Sequence, residues 1–194
     1  MNDELRQRLV AMVEEDARIR AELRATGELF LGYAPRMDEV HNRNAQALET
    51  IIKQFGWPGN SVVGEEGARA AWFILQHAIG QPDLQRRCLP LLMAAIAHQE
   101  ADPAAAAYLE DRICFFERRP QRYGTQFDWD EHGQMSPWTI EDSERVDEYR
   151  QMVGLSSLAE RTEQVRQEAT GAVPPDYRKR QEEMRMWARA VGWL

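Results

Sequence analysis

Cysteine is scarce in this 194-residue chain, with only Cys88 and Cys114 present. Each lies in an apolar helical pattern, which excludes a disulfide scaffold and predicts buried free thiols in a reducing compartment. Long hydrophobic runs are also missing. The longest, Leu89 to Ala97, contains a proline and is less than half of what a membrane span needs. The opening MNDELRQRLVAMVEEDARIR is charged throughout, so no secretory leader is expected. Positive charge is in deficit: the formal charge is −8, which argues against binding nucleic acid by phosphate neutralisation. GxSxG, P-loop, GxGxxG, HExxH and CxxC patterns are all absent. A cytoplasmic protein without nucleic-acid or membrane partners is the expectation, with no cofactor and no metal.

What is present is an ordinary globular composition, 43% hydrophobic and 29% charged, sufficient for a core. Leu5, Leu9, Met12, Ile19 and Leu23 recur at helical spacing before Gly27. A second helix is predicted over 38–55, with Val40, Leu48, Ile51, Ile52 and Phe55 inward, closed by GWPGN at 56–60. A third over 65–79 is apolar on most sides and therefore central. Pro82 opens a fourth, and Asp102-Pro103 a fifth that runs to about residue 118. Beyond Pro120, residues 122–127 and 135–140 predict two strands around the turn DWDEHGQ.

Helices resume after Asp142, and Ser157 with Glu160 predicts a capping box. TGAVPP has linker composition, and DYRKRQEEMRMWARAVGWL reads as an amphipathic arm that docks on the body or on a partner subunit. The fold class is mainly α, an irregular helical bundle with one small β-hairpin near 122–140. Three segments are expected: an N-terminal helix and connector (1–36), a helical core with the hairpin (37–169), and a linker with C-terminal helix (170–194). The terminal helices are the expected route to a homo-oligomer.

Several polar residues interrupt this pattern. His77 follows Gln76 near the end of the third helix, on the side marked by Phe73 and Ile74, and a half-buried imidazole suits proton transfer. The histidines are His41, His77, His98 and His132, none paired with another at metal-ligand spacing in sequence. Asp111 and Arg112 project about 100° apart on their helix and cannot simply pair with one another. Gln121, Tyr123 and Thr125 alternate with Arg122, Gly124 and Gln126, so a strand here would carry polar groups on both faces.

The motifs GWPGNSVVGEEGARAAWFILQHA, LEDR, QRYGTQF and IEDSERVDEYRQMVGLSSL, in that order, resemble the bacterial domain-of-unknown-function family numbered 6624. The resemblance covers roughly residues 38–160, leaving the first helix and the last arm outside it. This chain departs from the family pattern at Arg118-Arg119-Pro120 and at Tyr149. The family imports no reaction, but it implies that His77, Asp111, Arg112, Tyr123 and Gln126 form a shared set.

Two functions follow from these residues. The first is a metal-free enzyme or small-molecule-binding protein, of the kind used in biosynthetic tailoring. Its catalytic residues are His77, Asp111 and Tyr123; its substrate contacts are Gln76, Arg112, Thr125 and Gln126. His77 serves as acid/base and Arg112 anchors an anionic ligand. The second is a non-catalytic helical interaction module whose polar motifs are structural networks.

Overall fold

In the computed structural model, which describes residues 1–28 and 33–194, the sequence's punctuation marks become element ends. Asn2 accepts the Leu5 N–H at 3.0 Å to open α1 (Asp3–Thr26), and left-handed Gly27 closes it. Then come α2 (Pro35–Phe55), α3 (Asn60–His77), α4 (Pro82–Ala97) and α5 (Pro103–Phe116). The strands β1 (Phe127–Trp129) and β2 (Met135–Pro137) pair antiparallel, with Asp128 opposite Ser136. Three further helices follow: α6 (Val146–Met152), α7 (Leu158–Glu168) and α8 (Tyr177–Val191). The fold is mainly helical with one two-stranded antiparallel hairpin, as the patterning predicts. No helix among the described residues is long and apolar enough to cross a membrane.

The described residues pack as two units, 1–102 and 103–194. In the first, α1, α2 and α3 bury Leu9, Leu23, Leu48, Ile51, Val63 and Leu75. The apolar stripe on α1 runs Leu5, Leu9, Met12, Asp16, Ile19, Leu23, so one carboxylate stands in a hydrophobic row. On α2 the row Met37, His41, Asn44, Leu48, Ile51 holds an imidazole. On α3 the row Val63, Gly67, Ala70, Ile74 ends at His77. Each of the three helices therefore places one ionisable group where packing alone would ask for an apolar one.

Several details depart from the sequence reading, among them Phe55, expected inward at the end of α2 but 54% exposed. α3 begins at Asn60 rather than 65, because Gly64, at φ 71, lets a first turn join the main helix across a kink. The stretch before β1 is not a strand. Gln121 makes an isolated parallel bridge to Ile140, and Gly124 then turns the backbone at φ 64. In the second unit the C-terminal arm docks internally: Trp193, which looks exposed in sequence, is 3% exposed and stacks on Phe116 at 5.3 Å between centroids. Arg180 pairs with Asp128 at 2.7 Å, and Gln181 accepts from Arg118 at 2.6 Å. Ser157 and Glu160 form the expected capping box of α7.

Candidate functional site

Helical spacing brings the three misplaced polar groups of the first unit to one point. Asp16 is 2% exposed, and its Oδ2 lies 2.8 Å from Nδ1 of His77 and 2.9 Å from Nε2 of His41. The imidazole rings of His41 and His77 are 4.9 Å apart between centroids. Arg20, one turn further along α1, reaches to 3.7 Å from Asp16 Oδ1. Tyr33 completes the chain, its hydroxyl 2.7 Å from Nδ1 of His41. Phe73 covers one side of His77, with ring centroids 4.0 Å apart.

Exposure grades across the network. His41 is buried at 5%, whereas the His77 side chain is 16% exposed and is the more exposed of the two imidazoles. Burial alone would push the Asp16 carboxyl up, but the adjoining His41 and His77 outweigh it and hold the carboxyl below the usual carboxylate range. Asp16 is therefore anionic at neutral pH. Burial, aided by the charges of Asp38 and Asp16, pushes the Tyr33 phenol up, so it remains protonated. The arrangement can hold a proton, pass one between carboxylate and imidazole, or bind a cation.

Gln76 is buried next to His77, and its carbonyl, like that of Leu75, accepts from Gln85 Nε2. The remaining predicted residues belong to the second unit. There, fully buried Asp111 accepts from three backbone N–H groups: Arg122 at 2.9 Å, Tyr123 at 3.1 Å and Thr125 at 2.9 Å. These amides point at the carboxylate instead of sideways along a ladder, which is why residues 122–126 do not form a strand. Burial pushes the Asp111 carboxyl up despite the three N–H bonds. Arg112 is half-buried on the next helical position.

Gln121 clamps the same loop, donating to the carbonyls of Gln126 and Trp138 and accepting the Gln126 N–H at 2.9 Å. Gln126 in turn donates from Nε2 to the Thr125 hydroxyl. Buried Arg150 donates to the Tyr123 carbonyl at 2.6 Å. The Tyr123 ring meets Tyr149 edge-on at 6.5 Å. Asp111, Tyr123, Thr125 and Gln126 are thus brought together, largely through backbone groups.

Of this candidate network, sequence reasoning singled out His77 and did not single out Asp16, His41, Arg20 or Tyr33. The available signal was the helical row itself, in which Asp16 and His41 occupy positions otherwise held by leucine, isoleucine and methionine. A separate cavity of about 400 Å³ in the first unit is lined by residues including Trp57, Ser61, Leu91 and Glu100, none of them in this network.

The family model described as a family of unknown function (DUF6624) matches residues 3–172. The match extends well before residue 38, so α1 and Asp16 lie inside it. No curated protein and no solved structure matches the chain.

Proposed function

We propose, for a chain that belongs to this family of unknown function, that Asp16, His41 and His77 are the reactive centre of a small-molecule-binding enzyme. The observation that carries this reading is one buried carboxylate oxygen within 2.9 Å of two imidazoles from two other helices. A packing role alone would be met more simply by apolar residues, because buried ionic groups add little net stability over well-packed hydrophobic ones. Asp16 fixes and charges the centre, His77 presents it to solvent, and Tyr33 orients His41. Arg20, with its side chain 42% exposed beside the carboxylate, supplies the cationic group that favours an anionic ligand. The chemistry is acid/base, the role expected of His77, with Asp16 as the carboxylate that meets it.

The test compares wild type with His77→Ala and Arg20→Ala in thermal denaturation against a library of small carboxylates and phosphates. Ligand stabilisation that disappears in both variants supports the reading. If ligands stabilise His77→Ala as well as wild type, or none stabilises wild type, the network is a structural device of an interaction module.

A further inference from the structure

We propose that Asp16 Oδ2, His41 Nε2 and His77 Nδ1 bind one divalent first-row transition-metal ion. This rests on the reading of the network as a reactive centre and names the cofactor class of that centre; with the ion bound, His77 Nδ1 and Asp16 Oδ2 are ligands instead of an acid/base pair, and the site departs from the metal-free one expected from sequence.

The three donor atoms lie within 4.8 Å of one another. Two of the separations, 2.8 and 2.9 Å, come close to the roughly 3.0 Å edge between neighbouring ligands of a six-coordinate ion with bonds of about 2.1 Å. A four-coordinate ion would widen these two separations by about half an ångström.

Hydrogen bonding alone leaves this cluster incomplete. His41 Nε2 lies 2.9 Å from Asp16 Oδ2 as a close polar contact, and among the described residues it makes no well-aligned hydrogen bond. Asp16 Oδ1 is also buried without a hydrogen bond among the described residues, with the Arg20 guanidinium 3.7 Å away. A buried ring nitrogen without a well-aligned hydrogen bond, beside a buried carboxylate, calls for a physical cause. A cation placed among the donors supplies one: it accepts the lone pair of His41 Nε2 and offsets the charge of the carboxylate.

The surroundings suit a ligand set. The Tyr33 hydroxyl at 2.7 Å from His41 Nδ1 is an outer partner of the kind that orients a metal-bound imidazole. Phe73 against His77 restricts that ring. The partial exposure of His77 gives the ion a path in. Two imidazoles and one carboxylate favour a transition metal over calcium or magnesium, which prefer oxygen donors. Three protein donors leave positions open for water or for an oxygen of an anionic ligand, the pattern of a reactive rather than a structural centre.

The experiment uses the full chain, freed of any affinity tag, stripped with chelator and dialysed. Co2+ is titrated while visible absorption is recorded, followed by displacement with Zn2+ in a calorimeter. The expected result is one ion per chain, with d–d bands that Zn2+ abolishes and a melting temperature that rises with the ion. Asp16→Ala, His41→Ala and His77→Ala each weaken binding at least ~10-fold, whereas His98→Ala and His132→Ala bind like wild type. His77, the most exposed of the three, provides the variant best able to fold, and circular dichroism verifies that it has. Absence of ion binding, or binding that folded His77→Ala retains in full, overturns the metal site. If the ion fails to bind but small anions still stabilise through His77, the metal inference falls alone. If the ion binds and no small molecule depends on His77, the enzyme reading falls and the metal site stands.

Discussion

Asp16 and His77 are 61 positions apart in the chain, yet their side chains meet at 2.8 Å inside the first unit. The contact joins the middle of α1 to the last residue of α3, and His41 brings α2 to the same oxygen. A single carboxylate therefore ties three helices together.

Removing that carboxylate should be costly. Asp16→Ala leaves two imidazoles and Arg20 facing a cavity, and breaking a buried ionic contact from one side typically costs about 3–5 kcal/mol. The expected loss in urea denaturation is about 3 kcal/mol, smaller in Asp16→Asn, which keeps an acceptor oxygen. A loss below about 0.5 kcal/mol would show that the network contributes nothing to packing.

Asp111 gives a second prediction, in the other unit. Asp111→Ala deprives three backbone N–H groups of their acceptor. At about 1 kcal/mol for each lost bond, a destabilisation of about 3 kcal/mol is expected. Limited proteolysis should then cut within residues 121–126, a site protected in wild type. Unchanged cleavage would mean that Gln121 and Arg150 hold the loop unaided.

Gly124 tests the same loop by crowding. Its φ of 64 disfavours any side chain, and a Cβ there would lie 2.6 Å from Leu158 Cδ1. Gly124→Ala should lower stability by more than about 1 kcal/mol. Adding Leu158→Ala should recover part of that loss. A double-mutant cycle with no coupling between the two would refute the close approach.

The cysteines give a pH prediction. Burial pushes the Cys88 thiol up to about 11, partly opposed by the Arg87 charge, and burial pushes Cys114 up as well. A thiol with a raised value in the fold binds its proton more tightly there than in the unfolded chain. Its stabilising contribution is complete below the unfolded value, about 8.5, and is lost as pH rises towards the folded value. The urea midpoint should therefore fall between pH 8 and pH 10, and the fall should shrink in Cys88→Ala. At pH 8, Ellman's reagent should label both cysteines slowly in native protein and rapidly in urea.

Much of the fold was legible because its punctuation is local. Gly27, Pro82, Pro103 and the Ser157–Glu160 box act within one turn of their own positions. The early start of α3 was hidden because Gly64 reads as a break, yet here it joins two helical stretches. Residues 122–126 look like a strand by composition, but their amides are claimed by a carboxylate 11 to 14 positions away. Of the candidate network, only His77 stood out in the sequence. Asp16 carries no local mark beyond its place in an apolar row, and its meaning depends on which two helices face it. That is tertiary information.

The row on α1 has a consequence for how the helices align. Sliding α1 by one turn, about 5.4 Å, would keep leucine, methionine and isoleucine facing inward. It would also carry Asp16 away from both imidazoles and leave the carboxylate buried among hydrocarbon. Hydrophobic spacing alone leaves the register of α1 degenerate. The one charged member of its stripe makes a single register far better than its neighbours.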